Sequence, residues 1–327
     1  MPEFVNLGRS GLLVSRLGLG TFNFGNTTIG VDEETARGII DAYLGAGHNY
    51  IDTANIYGDS RAESIVGRAL KGRRDAVVLA TKAGGVWGPG PSEGGTSRKA
   101  LLRAVEDSLR RLDTDYIDLY QMHVFDYRTP LEETLSTLND LVRRGMVRYF
   151  GVSNWTASQI TDAVRLTEKH GWEPIASLQP QYNILLRDVE TEIVPVCQQF
   201  GLGVVPWSPL AGGTLAGIYS RGQAPTQTGR LAAFPNLLSR LNDRQWEVIE
   251  IVKNEAAKLG TTPVALSLAW LLRKPGVTAP LMGPENEDQL AQNLAALELD
   301  VPAETMERID AASAPAVGYP HNFGRRR

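Results

Sequence analysis

Cysteine is nearly missing from this chain of 327 residues. Cys197 is the one instance, which excludes an internal disulfide framework and any cysteine-based metal cluster. It falls in a helical pattern, IVPVCQQFG, and reads as core packing, not as a reactive thiol. An excess of charge is missing too: 33 Lys and Arg against 37 Asp and Glu leave a formal charge of -4. That balance gives no electrostatic reason to expect nucleic acid or an anionic membrane as a partner. The only basic run, Arg325-Arg326-Arg327, reads as a solvated tail. No apolar run is long enough to cross a bilayer, and the first twenty residues, MPEFVNLGRSGLLVSRLGLG, lack the charged start and continuous apolar core of a signal peptide. A cytoplasmic protein is the expectation. Internal repeats and low-complexity segments are absent as well.

What is present suits a globular body with a large core: 43% hydrophobic and 21% charged residues, with 33 Gly and 18 Pro. Short β-rich runs alternate with helical patterns along the whole chain. The strand candidates are RLGLGT (Arg16 to Thr21), HNYIDT (His48 to Thr53), AVVLAT (Ala76 to Thr81), YIDLYQM (Tyr116 to Met122), VRYFGV (Val147 to Val152), IASLQP (Ile175 to Pro180), GVVPWS (Gly203 to Ser208) and VTAPLMG (Val277 to Gly283). Helix starts are signalled by Asp32, Ser97 and Thr129-Pro130, and helix ends by Gly47, Gly145, Gly171, Gly201 and Gly260. Eight such units without a change in rhythm predict a closed (β/α)8 barrel, residues 1–327 forming one domain. An open dinucleotide-binding sheet is the rival, but Gly18-Leu19-Gly20 lacks the third glycine of its fingerprint and leads into TFNFGNTTIG, not a helix. Ahead of the barrel, FVNLGRSGLLVS reads as a hairpin that plugs its N-terminal end. The stretch from Ala211 to Leu241 interrupts the rhythm, and a loop of that length is usually functional.

Polar residues that a buried strand should avoid collect at the C-terminal ends of these strands. Asp52 closes the second, Lys82 follows the third, His123 the fourth, Ser153-Asn154 the fifth, Gln179 the sixth and Trp207-Ser208 the seventh. In a barrel these ends share the face where catalysis sits. A tyrosine has a free pKa near ~10, too high to trade protons easily at neutral pH, but an adjacent ammonium stabilises the phenolate. Lys82 is placed to supply that charge to Tyr57, and Asp52 to hold the ammonium while meeting its own need for a partner. His123 would orient a carbonyl oxygen. Such a set polarises C=O and delivers a proton, yet it supplies no electrons, so the hydride must come from a cofactor. Ser153, Asn154 and Gln179 carry groups that match a carboxamide, and Trp207 offers a flat face to an aromatic ring.

With these residues in view, the chain resembles the aldo-keto reductases from about Leu7 to Ile309. The matching pieces are LGRSGLLVSRLGLGT, IDTANIYG, LATK ending at Lys82, YIDLYQMH ending at His123, GVSN ending at Asn154, PWSPLAGG from Pro206 and QLAQN ending at Asn293. The resemblance implies a (β/α)8 barrel, NADPH as the usual cofactor, and reversible reduction of small-molecule aldehydes and ketones. By position it makes Asp52, Tyr57, Lys82 and His123 the catalytic set, with Tyr57 as proton donor. It gives the carboxamide to Ser153, Asn154 and Gln179, the nicotinamide stack to Trp207, the pyrophosphate to Ser208, Leu210 and Gly212, and the adenine to Gln289 and Asn293. Gly20, Thr21 and Gly283 join the cofactor contacts.

Two positions depart from the family pattern. Glu285 stands in GPENEDQLAQN where many relatives carry a basic residue for the 2'-phosphate of NADPH, and Ile218 stands where a lysine is common. A carboxylate repels phosphate and accepts hydrogen bonds from free ribose hydroxyls, so NADH preference or dual use is expected unless Arg221 or Arg230 compensates. The run LLRDVETEIVPVCQQFGLGVVPWSPLAGG resembles bacterial reductases of keto sugars and other secondary-metabolite carbonyls. By analogy, substrate contacts fall to Phe22, Trp87, Phe125 and the segment Gly318 to Gly324, with His321 in a solvated tail. Two other functions compete: a nucleotide-binding regulatory subunit, as the potassium-channel β-subunits of this family are, and a Schiff-base aldolase using a neutral Lys82.

Overall fold

A computed structural model describes residues 3–26, 30–222, 234 and 236–323. Among the described residues it forms ten strands: β1 (Phe4–Asn6), β2 (Leu13–Ser15), β3 (Gly18–Gly20), β4 (Tyr50–Asp52), β5 (Val78–Ala83), β6 (Ile117–Met122), β7 (Val147–Ser153), β8 (Ile175–Gln179), β9 (Gly203–Val204) and β10 (Leu281–Met282). The last eight form one parallel sheet in the order β10-β3-β4-β5-β6-β7-β8-β9. The sheet closes on itself: Val204 bridges to Val277, Thr278 N donates to Val204 O at 2.8 Å, and Leu281 N donates to Pro206 O at 2.8 Å. The result is the (β/α)8 barrel. All eight expected strands are present, the first two at half their expected length and the last two shorter still. Pro206 and Pro280 lie in these runs, and a proline has no N–H to give a ladder.

The hairpin is also as expected, β1 pairing antiparallel with β2. Leu7 and Val14 are fully buried against Tyr50, Val78, Ala80, Leu119 and Leu281 of the barrel interior. Docking brings backbone to backbone: Arg9 N donates to Gly201 O at 2.8 Å, and a Cβ at Gly8 would lie 2.4 Å from that same oxygen. Only glycine fits there. This plug closes the N-terminal end and leaves the other end open.

Helices between the strands start mostly where the sequence signals them. Asp32 accepts from Thr35 N at 2.9 Å and Ser97 from Ala100 N at 3.4 Å. The helix Leu131–Arg143 likewise begins directly after Thr129-Pro130, with no side-chain cap from Pro130, and the Thr129 hydroxyl donates to Asp126 at 2.7 Å. The five glycines expected to end helices all take positive φ. Cys197 is fully buried in the helix Ile193–Phe200, and burial pushes its thiol up to about 12, as an inert core residue requires. After β9 the chain makes a short 3-10 turn, Ala211–Ala216, and the remainder of the long interruption lies partly outside the described residues.

Candidate active site

Alternation along each strand builds the site. Tyr50 and Asp52 of β4, Val78, Ala80 and Lys82 of β5, and Leu119 and Gln121 of β6 are spaced by two, so each set faces one side of the sheet. Tyr50, Val78, Ala80 and Leu119 make the apolar lower layer above the plug. Asp52, Lys82 and Gln121 make a polar layer above it.

Lys82 is completely buried and its ammonium has three acceptors: Asp52 Oδ1 in a close ion pair, Thr53 O at 2.9 Å and Tyr57 Oη at 3.1 Å. Its three N–H donors are all matched. Burial alone would lower its pKa, but Asp52 and Tyr57 outweigh that and hold it above the ordinary lysine value. A neutral amine for Schiff-base chemistry is therefore opposed by its surroundings. The other oxygen of Asp52 accepts from Gln121 Nε2 and Gln179 Nε2, each at 2.9 Å. An ammonium accepts nothing, so the contact at 3.1 Å runs from Lys82 to Tyr57, and the phenolic proton is not spent on Lys82.

His123 meets the Tyr57 ring edge-on, with centroids 5.8 Å apart, and Phe22 flanks that ring at 5.2 Å. Burial, assisted by the charge on Lys82, pushes the imidazole down to about 3. His123 is thus neutral near pH 7. Its buried Nδ1 has no hydrogen-bond partner among the described residues. This neutrality makes a pH prediction. The stability from keeping His123 uncharged is complete above about 6.5, the unfolded value, and is lost as pH falls toward 3, because the unfolded chain takes the proton first. Urea unfolding at pH 7.5 and pH 5 is expected to show wild type losing about 2 kcal/mol more than His123→Gln. Equal losses in both proteins would contradict the neutral buried imidazole.

Above this layer opens a cavity of about 760 Å³, within the range of ligand sites. Of the individual residues given a catalytic, cofactor or substrate role from the sequence, all line it except Lys82, Trp87 and Phe125. The lining thus includes Gly20, Thr21, Phe22, Asp52, Tyr57, His123, Ser153, Asn154, Gln179, Trp207, Ser208, Leu210, Gly212, Gly283, Glu285, Gln289 and Asn293. Lys82 lies beneath the floor. Trp87 and Phe125 stand apart: Trp87 N is tied to Glu93 O at 2.9 Å, and Phe125 packs between Tyr127 and Trp155, at 4.9 Å from each. No described residue of 318–323 lines the cavity, Gly324 lies outside the described residues, and His321 meets Glu192 at 2.9 Å instead of trailing in solvent.

The rim is laced across strands. Asn154 Nδ2 donates to His123 O at 2.9 Å and to Ser153 Oγ at 3.0 Å, while Trp207 Nε1 donates to Asn154 Oδ1 at 2.9 Å. Beyond Trp207 the chain turns sharply. Ser208, Ala211, Gly212 and Gly213 all have positive φ, and Ser208 Oγ accepts from Gly212 N at 3.0 Å. Asn183 Nδ2 pins this loop through Ser208 O at 3.0 Å. At the far end Gln289 Oε1 accepts from Glu285 N at 2.9 Å. Gly283 lines the cavity with open space where a Cβ would stand, so glycine there keeps the cleft clear. Ile56, Tyr219, Val264, Gln292 and Gln121 were not found from the sequence. Only Gln121 carried a signal, its spacing of two from Leu119 and His123.

Comparison with known proteins supplies the relatives. The model of the Aldo/keto reductase family matches residues 16–314. A rice protein named a probable voltage-gated potassium channel subunit beta is 37% identical over 97% of this chain and 98% of its own. The Bacillus subtilis oxidoreductase YrpG, itself uncharacterized, is 39% identical over 94% and 95%. The aldo-keto reductase dtxS3 of Metarhizium robertsii is 38% identical over 90% and 86%.

Proposed function

The chain belongs to the aldo/keto reductase family and is an NAD(P)-dependent oxidoreductase, and from that premise we propose that Tyr57 is its proton donor in the reduction of a small carbonyl compound. The observation that carries this assignment is the Lys82 ammonium at 3.1 Å from the Tyr57 oxygen, held by the buried Asp52. A fixed positive charge there favours the phenoxide that proton donation leaves behind. Asp52, its oxygens engaged by Lys82, Gln121 and Gln179, keeps Lys82 charged and in place. His123, neutral, offers an N–H to the carbonyl oxygen, and Tyr57 Oη delivers the proton to that same oxygen. A nicotinamide dinucleotide, when bound, supplies the hydride.

The cleft fits such a group in its donor set and its shape. Ser153, Asn154, Gln179 and Trp207 would hold the carboxamide and ring, Ser208, Leu210 and Gly212 the pyrophosphate, and Gln289 and Asn293 the adenine. Gly20, Thr21 and Gly283 would form the walls. Near Tyr57 the lining is Phe22 and Ile56, which supports a neutral carbonyl compound.

The proposed preference is for NAD(H), or for dual use with NADP(H). Glu285 lines the cavity, and no Lys or Arg does so among the described residues. Of the two expected compensators, Arg221 is paired with Asp243 and Arg230 lies outside the described residues. Steady-state kinetics are expected to give NADH a kcat/KM at least equal to that of NADPH. Glu285→Arg should raise the NADPH value about 10-fold by exchanging repulsion for a charge-assisted contact. A large NADPH advantage in the wild type would overturn this preference.

The relatives named as channel subunits supply the second reading, a nucleotide-binding regulatory subunit. Such a role does not call for a lysine aimed at a tyrosine oxygen, so the intact contact favours catalysis. Assay of the wild type against a carbonyl panel with both cofactors tests the choice, and binding without any turnover would favour regulation.

A further inference from the structure

Gln121 is fully buried, does not line the cavity, and has no place in the chemistry described above. We propose that it is a positioning residue that, together with Asp52, holds the Gln179 amide with one end toward the cavity, an inference that rests on reading the cleft as a nicotinamide dinucleotide site.

The argument is one of donors and acceptors. Asp52 Oδ1 is taken by the Lys82 ammonium, and an ionised carboxylate only accepts, so an amide bonded to Oδ2 must present its NH2 end. Both neighbouring amides do: Gln121 Nε2 and Gln179 Nε2 each donate to Oδ2 at 2.9 Å. Gln121, oriented this way, turns its own oxygen to Gln179, whose Nε2 donates to it at 3.2 Å. A flipped Gln179 would set its oxygen against two other oxygens, exchanging two hydrogen bonds for two repulsions. The Gln179 oxygen is therefore the amide atom left for the cavity, where it reads a donor on the ligand. The carboxamide of nicotinamide has such a donor.

The neighbouring strand packs closely beside this amide. Gln121 is in register with Gly151, and Gly151 with Ser177. A Cβ on Gly151 would lie 2.4 Å from Ser177 Oγ and 3.5 Å from Gln121 Cγ. The bare backbone of β7 makes room for the Ser177 hydroxyl of β8 and leaves Gln121 of β6 at ordinary contact distance.

The test is equilibrium binding, read by the quenching of tryptophan fluorescence, of NAD+ and of its 3-acetylpyridine analogue, which has a methyl ketone in place of the amide and no N–H to give. Wild type is expected to bind NAD+ about 10-fold more tightly than the analogue, as for one lost hydrogen bond. Gln121→Met and Gln121→Leu, which keep bulk but leave the Gln179 amide held by its single bond to Asp52 Oδ2, should loosen that amide and bring the ratio within about threefold. Thermal unfolding establishes that each variant is folded. Folded variants that keep the wild-type ratio, or a wild type that binds both dinucleotides equally, would overturn the proposal. Two variants that fail to fold would also count against it, since a residue that only steers Gln179 is dispensable to the barrel. A wild type that binds neither dinucleotide would instead overturn the cofactor reading on which it rests.

Discussion

Tyr57→Phe is expected to lower kcat by about 10²–10⁴-fold, the range for a lost general acid, while the dissociation constant of the dinucleotide stays within about threefold. The substitution removes one oxygen and leaves the ring, which remains packed between Phe22 at 5.2 Å and His123 at 5.8 Å. The shape of the cleft is thereby kept. What is lost is the atom 3.1 Å from Lys82 Nζ, through which, in the proposed mechanism, the buried ammonium acts on the carbonyl oxygen. Steady-state kinetics alongside a fluorescence titration separate the two effects. If Phe at this position turned over as fast as Tyr, the proton would have to come from elsewhere, and the assignment would fall.

The second large effect is expected from Lys82→Met. Removing the ammonium leaves Asp52, only 1% exposed, as a buried carboxylate with two amide donors and no counter-charge. Breaking a buried pair from one side typically costs about 3–5 kcal/mol. Urea unfolding at neutral pH should show a loss of that order, together with the disappearance of turnover. Adding Asp52→Asn removes the stranded charge, so the double variant should regain most of the stability and none of the activity. That split distinguishes a pair needed for chemistry from one needed only for folding. A single variant as stable as wild type would contradict the buried ion pair, and an active double variant would remove Lys82 from the mechanism.

Much of the site was legible because three of its determinants are local. A carboxylate after Tyr50-Ile51, a lysine closing LATK and a histidine after YIDLYQM are visible as polar residues ending apolar strands, and parallel strands bring such ends to one face. The hairpin plug was legible for the same reason. Elsewhere tertiary contacts settled what local signals left open. Thr129 bonds Asp126 while the helix still begins after Pro130, His321 meets Glu192, and Phe125 packs between Tyr127 and Trp155.

From the sequence alone follow the βα rhythm, the identity of the strand-end groups and the acidic residue at position 285, since each depends on composition and spacing along the chain. The tertiary structure decided which polar atoms meet. Asp52 and Gln179 are 127 residues apart, Asp52 and Gln121 are 69 apart, and their contact depends on barrel closure and on strand stagger. No pattern along the chain encodes that convergence, because hydrogen bonds across a barrel interior are set by the register of strands that are neighbours only in space.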